Sequence, residues 1–319
     1  MHSIILLVTF LGLLSAFALP DNSTLIQKIA KHAVDTESDS LVIVQNGKVV
    51  YSNYFTGQDQ VRSVQSITKS ISSLAIGILI DQGKVESLDL PMSHWIPDWS
   101  EDSEKSKITL RMIMSHTSGL PDVNTVPEFW FQPNTVRAAI DTPLIASPGS
   151  QYLYSNIGAS LLQQVISRSS GKSVTAFVGE FLFSPLGITD FIWKKDKAGN
   201  ENTSGGLYLS TADLLKIGST LLGGGCFEGK SIVRSSTLKI LVTKSQPNVS
   251  YGLLFWLDQS AAPSSAALFS ARGWGGQYIT VFPQKNLIAI RTKDPRTIVE
   301  LKRETQSFQD FRSLISQWE

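Results

Sequence analysis

The sequence predicts an α+β fold, an antiparallel sheet flanked by helices plus a mainly helical lobe, in a chain of 319 residues. Three observations carry that expectation. Residues 41–55 place β-branched and aromatic side chains around Asn46-Gly47, a strong short-range signal for a tight hairpin. Residues 277–282 and 287–293 alternate as two further strands, joined at Pro283-Gln284-Lys285-Asn286. The stretch between, from about 90 to 225, is rich in helical pattern and loops. Early strands, a helical middle and late strands imply one sheet built from both chain ends with helices against it.

Taken in order, residues 4–18 are apolar, end in Ala16-Phe17-Ala18 and precede Leu19-Pro20. They fall short of the ~20 residues a membrane helix needs, and the small-x-small end fits a cleavable signal peptide at residues 1–18. The short segment before them carries His2 but no Lys or Arg, so an uncleaved anchor is the alternative. Residues 24–34 read as an amphipathic helix ahead of the hairpin. A second helix begins at about Ser66, runs through apolar residues 71–80 and stops at Gly83. Phe129, Trp130 and Phe131 either line a pocket or fold onto the core. Residues 234–241 give no helix signal. Phe308, Phe311, Leu314, Ile315 and Trp318 recur at helical spacing, which predicts a terminal helix with one apolar face. One domain at 19–319 is expected, with a sheet lobe from about 19–90 and 226–319 and a helical lobe from about 91–225.

Composition narrows the function. The chain is 42% hydrophobic with a formal charge of +1, enough for a sizeable core. Charges are interspersed without a Lys/Arg-rich run, which argues against a nucleic-acid partner. No Gly-x-Ser-x-Gly elbow occurs, which argues against an α/β-hydrolase. The four His, at 2, 32, 94 and 116, form no His-Glu-x-x-His and no other ligand spacing, so no metal site is expected. The single Cys226 forms no internal disulfide and is expected as a small buried apolar residue. Sequons at Asn22, Asn202 and Asn248 permit a secreted glycoprotein without arguing for one.

Three Ser-x-x-Lys pairs occur, at Ser66/Lys69, Ser169/Lys172 and Ser236/Lys239, and context separates them. Ser66 alone opens a long apolar helix. There the helix dipole favours negative charge developing beside its Oγ, and Lys69 lies on the same face at i+3. Ser169 and Ser236 sit among polar residues and read as surface. Tyr-Ser-Asn occurs twice. Tyr51 falls in the hairpin and reads as a strand residue, whereas Tyr154 follows Pro148-Gly149 on a loop entering a helix, where catalytic groups concentrate. A third segment, Trp274-Gly275-Gly276, offers a glycine strand beside which an acyl group can lie.

Together Ser66-Ile67-Thr68-Lys69, Tyr154-Ser155-Asn156 and Trp274-Gly275-Gly276 resemble the serine β-lactamase and penicillin-binding protein superfamily. The resemblance is specifically to the class C β-lactamase-like branch of esterases and 6-aminohexanoate-dimer hydrolases. It extends in order to Ile108-Thr109-Leu110-Arg111, to Ser115-His116-Thr117-Ser118-Gly119-Leu120-Pro121, to Gly205-Gly206-Leu207 and to Ser210-Thr211-Ala212-Asp213-Leu214. Tyr251-Gly252 and residues 271–283 resemble the strand pair carrying the third motif, so roughly residues 40 to 295 are covered.

The resemblance implies a β-lactamase/transpeptidase-like fold and acyl transfer through a covalent intermediate without a cofactor. Ser66 is the implied nucleophile, Lys69 or Tyr154 the base, and Asn156 orients Lys69 or the substrate. Backbone N–H groups of Ser66 and Gln277 form the implied oxyanion hole, and His116 has a structural hydrogen-bonding role. The expected substrate is a small ester or amide. Trp274 stands where antibiotic-related relatives carry Lys or His, so uncharged or apolar acyl groups are expected, with Arg272 read as an exposed strand-end arginine or, if its side chain turns inward, as a cation that rescues carboxylate binding. A β-lactamase, a D-Ala peptidase-like amidase, an acyltransferase and a catalytically weak binding module stay open as alternatives. A secreted location follows from the expected leader, with no stable membrane association after its cleavage.

Overall fold

The computed structural model describes residues 22–257, 268–295 and 301–318. The expected leader at 1–18 lies outside the described residues. The first helix, α1 (Ser23–Asp35), leads into the hairpin of β1 (Ser40–Gln45) and β2 (Lys48–Tyr54). Its turn places Asn46 at φ 51° and Gly47 at φ 73°, the left-handed pair that a two-residue hairpin requires. A short β3 (Arg62–Ser63) precedes α2 (Ile67–Asp81), which ends before Gly83 as expected.

The middle of the chain contains α3 (Leu110–Met114), α4 (Thr135–Asp141), α5 (Asn156–Ser160), α6 (Leu162–Ser170) and α7 (Val174–Val178). Then come β4 (Ile192–Trp193), β5 (Leu207–Leu209), α8 (Thr211–Leu222), β6 (Cys226–Phe227), β7 (Lys230–Ser231) and α9 (Ser235–Leu241). The chain closes with β8 (Trp256–Leu257), β9 (Phe269–Gly273), β10 (Gln277–Phe282), β11 (Leu287–Thr292) and α10 (Leu301–Ser316).

Among the described residues, six strands form one antiparallel sheet in the order β2-β1-β11-β10-β9-β8. Both chain ends contribute, as the strand pattern predicts. Strand alternation divides the core. Val42 and Val44 of β1, with Ile279 and Ile288, face a large cluster that includes α2. Leu41 and Ile43 face a smaller one with Phe311, Ile315 and Trp318 of the terminal segment, so α1 and α10 cover one face. The side chain of Phe308 is outside the described residues. Helix α8 lies in the stretch read as helical lobe, yet packs against β10 and β11.

Helix α9 corrects the reading of residues 234–241. Only Thr237, Leu238 and Leu241 are buried there, and seven residues are too few for periodicity to register. Cys226 is exposed, not buried, because it sits on the outer two-stranded β6–β7 ribbon. The aromatic run divides. Phe129 is core, whereas Trp130 and Phe131 stand 41% and 83% exposed.

Candidate active site

Ser66 is the residue before the first turn of α2, and its side chain makes no capping bond to the helix. The hydroxyl therefore points at other groups. The preceding Gln65 is held at φ 50°, a strained backbone for a residue with a side chain, of the kind that accumulates at functional sites. One turn on, Lys69 is buried among residues of α2 that are nearly all enclosed. Its Nζ donates to Ser66 Oγ at 2.9 Å, to Asn156 Oδ1 at 2.6 Å and to the Ser204 carbonyl at 2.5 Å. Burial pushes the ammonium down to about 7, against the opposing pull of Asp122.

Asn156 is placed by helix capping. Ser155 Oγ accepts from Gly158 N at the start of α5 and donates to Pro121 O at 2.7 Å. Asn156 then spans two charged groups. Its Oδ1 takes Lys69, while its Nδ2 and backbone N donate to Asp122 Oδ1 at 2.8 and 3.0 Å. Ser204 is aimed at Lys69 by Asn202, whose Oδ1 accepts from Ser204 N and Gly205 N. That sequon is built into the fold, since Ser204 is buried and its hydroxyl also donates to Asn202.

Tyr154 completes the group. Lys69 Nζ lies 5.0 Å from its ring centroid. Burial raises the phenol well above its ordinary value, the hydrogen bond with Ser66 opposing. It therefore stays protonated at pH 7. His116, at φ 58°, holds the segment that carries it. The His116 carbonyl accepts from Leu153 N at 2.7 Å, its Nδ1 accepts from Ser155 N at 3.2 Å, and its ring lies 4.4 Å from that of Tyr154. Burial, then the charge of Lys69, push this imidazole well below its ordinary value, so it is neutral with the proton on Nε2. The structural hydrogen-bonding role expected for His116 is what this geometry supplies.

Trp274, Gly275 and Gly276 form the tip of the β9–β10 hairpin, with Trp274 48% exposed. Gly276 is at φ 91°, and a Cβ there would lie 2.5 Å from Arg291 Nη1. Gln277 stands opposite Gly273 in the ladder, its side chain buried and bonded to the backbone of Lys293 on both sides. Gly273 of the hairpin meets the segment before Ser66, since a Cβ there would lie 2.3 Å from Val64 O and 3.0 Å from Gln65 Cβ. Only a residue without a side chain lets β9 come this close.

The remaining Ser-x-x-Lys pairs stay outside this group. Ser169 Oγ accepts from Trp95 Nε1, and Ser236 with Lys239 borders a separate open cavity of about 650 Å³ that contains neither Ser66 nor Tyr154. Volume alone would mislocate the chemistry. Asp122, Ser204 and Trp256 join the site without having been picked out from the sequence. Pro121-Asp122 follows the His-Thr-Ser-Gly-Leu turn, the one signal that could have found Asp122. Arg272 corrects a reading. It is half-buried, its Cζ 4.9 Å from the Trp256 ring and its Nε donating to Ser270 Oγ, because it shares a face of β9 with Ser270 opposite Trp256.

A serine whose hydroxyl accepts from a lysine able to lose its charge, with a protonated phenol beside them, has the groups that acyl transfer needs. The beta-lactamase family model matches residues 26–294, and the chain belongs to that family of serine hydrolases. It is 24% identical over 314 residues to the D-alanyl-D-alanine-carboxypeptidase/endopeptidase AmpH of Escherichia coli (strain K12), covering 81% of this chain and 80% of that protein. A putative 6-aminohexanoate-dimer hydrolase from Bacillus anthracis superposes with a TM-score of 0.77 at 20% identity, over 90% of this chain and 81% of that one. EstCE1, a hydrolase with promiscuous acyltransferase activity, superposes with a TM-score of 0.71 at 17% identity, over 92% and 98%. The β-lactamase/transpeptidase-like fold expected from the motifs is the fold observed.

Proposed function

We propose that this protein is a secreted carboxylesterase-type serine hydrolase that works through a Ser66 acyl-enzyme. The observation that carries the reading is the 2.9 Å contact between Ser66 Oγ and a Lys69 whose buried amine titrates at about 7. A lysine of ordinary basicity is protonated at neutral pH and takes no proton. One at about 7 is half neutral there and serves as the general base.

Ser66 Oγ attacks the carbonyl carbon as Lys69 accepts its proton. The oxyanion is stabilised by the Ser66 N–H and a second backbone donor, an arrangement typically worth ~3 kcal/mol per donor. The N–H of Gln277, opposite Gly273 in the ladder, is the second donor in this reading. Tyr154, a neutral phenol bonded to Ser66, relays the proton to the leaving group. Asn156 and Ser204 hold Lys69 in line. Water then enters and releases the acid.

A fluorophosphonate probe, followed by a panel of short-chain p-nitrophenyl esters, penicillins and D-Ala-D-Ala peptides, tests the reading. A single adduct on Ser66 with ester turnover is expected. An adduct elsewhere overturns the site, and efficient penicillin hydrolysis with negligible ester turnover shifts the assignment to a β-lactamase. Secretion rests on the leader at 1–18 alone, and the N-terminal sequence of protein recovered outside the cell checks it.

A further inference from the structure

We infer that the cavity between α3 and α9 is an accessory binding site for an organic acid, a carboxylate carried on an apolar body. The binding stands apart from the Ser66 acyl-enzyme reading, and only its effect on turnover rests on that reading.

The cavity measures about 650 Å³, inside the range of roughly 300–1,000 Å³ usual for small-molecule sites, and neither Ser66 nor Tyr154 lines it. Met112, Ile240 and Leu253 give its walls apolar surface. Ile240 stands 47% exposed, an aliphatic side chain that a bound apolar body takes out of water. The unbalanced charge has one sign. Arg111 and Asp89 neutralise each other through two bonds, of 2.7 and 2.9 Å. Lys239 and Lys244 make no ion pair among the described residues, which leaves two ammonium groups open to a ligand. Both are exposed whereas Leu253 is buried, so charge lies at the mouth and apolar surface within. A carboxylate presents two acceptor oxygens, and two flexible lysine stems suit it. Lys239 belongs to the third Ser-x-x-Lys pair, which thus serves binding while the first serves chemistry. The acid released from an apolar ester has this chemistry.

The cavity also backs onto the supports of Tyr154. Ser115 and Thr117 line it on either side of His116, whose Nδ1 accepts from Ser155 N and whose ring lies 4.4 Å from that of Tyr154. Gly149, another wall residue, donates its N–H to Thr117 O at 2.7 Å. Ser245 donates both its N–H and its hydroxyl to the Tyr251 carbonyl at 2.8 Å, and the Tyr251 ring lies 5.2 Å from His116. A molecule seated here touches the turn and the loop that position the His116–Tyr154 pair, so occupancy acts on the phenol that relays the proton.

Octanoate and octanamide, alike in chain and different in charge, test the inference when titrated below micelle-forming concentrations and followed by ligand-observed NMR. Saturable binding of octanoate is expected, about fivefold or more tighter than that of octanamide and weaker as salt is raised. The double variant Lys239→Gln/Lys244→Gln is expected to lower octanoate affinity roughly fivefold or more, while Lys230→Gln, outside the cavity, leaves it unchanged. Binding is expected to persist after fluorophosphonate has blocked Ser66, which separates it from product rebinding at the nucleophile. No saturable binding, equal affinity for the amide, or an affinity indifferent to the double variant overturns the site. At saturating octanoate, kcat for p-nitrophenyl butyrate is expected to shift by about twofold or more in the unmodified protein and to stay constant in the double variant. An unchanged kcat overturns the link to Tyr154. Absence of both labelling and ester turnover overturns the Ser66 reading, and the NMR titration still decides the site.

Discussion

Tyr-Ser-Asn stands twice in this chain, and the two copies share no environment. Tyr51 lies on β2 opposite Ile43, with Ser52 and Asn53 exposed to solvent. Tyr154 lies at the entry to α5, its Ser155 buried as a helix cap and its Asn156 bonded to Lys69 and Asp122. In a strand, successive side chains alternate faces, so three consecutive residues cannot converge. At a helix entry the chain turns, and the same three residues face one cluster. Reactivity therefore comes from the turn and the burial around it, and the tripeptide is only the raw material.

The largest expected effect is on the group that both Lys69 and Tyr154 serve. Ser66→Ala is expected to lower turnover on the order of 10^4-fold or more and to abolish fluorophosphonate labelling, read by steady-state kinetics and intact mass. Residual turnover near that of the unmodified protein would place the nucleophile elsewhere. Next come the proton-handling groups. Lys69→Ala and Tyr154→Phe are each expected to cost roughly 10^2- to 10^4-fold in kcat with the fold retained by circular dichroism. Tyr51→Phe is expected to stay within about twofold, since its hydroxyl meets no site residue. Comparable losses at Tyr51 and Tyr154 would break the contrast between the two copies.

The pH profile sharpens the same contrast. A base must be unprotonated, so kcat/KM is expected to rise with pH through about 7 and level off above it, following Lys69. The smallest effect is expected for Asp122→Asn. The Asp122 charge holds Lys69 up, so removing it moves that limb to lower pH, while an amide oxygen still accepts from Asn156. A limb that moves upward would show that Asp122 acts on a different group.

Much of this was legible locally. The Asn46-Gly47 hairpin, the alternating strands β10 and β11 and the apolar helix behind Ser66 each announce themselves within a few residues, because steric preference and periodicity act at short range. Helix α9 was not legible, because seven residues with three buried positions carry no period. Nor was the exposure of Cys226, which depends on the outer ribbon it joins. The sequence by itself determined which Ser-x-x-Lys pair opens a long apolar helix and the order of the motifs, since an apolar helix with serine at its start and lysine one turn later is a local pattern. Only the tertiary structure decided that Asn156, anchored by Asp122, and Ser204 hold Lys69 in place, that Gly273 meets Val64 and Gln65, and that Arg272 turns against Trp256. Those facts join residues from separate segments of the chain, and their energies come from burial and close approach, which exist only once the sheet has closed on the helices.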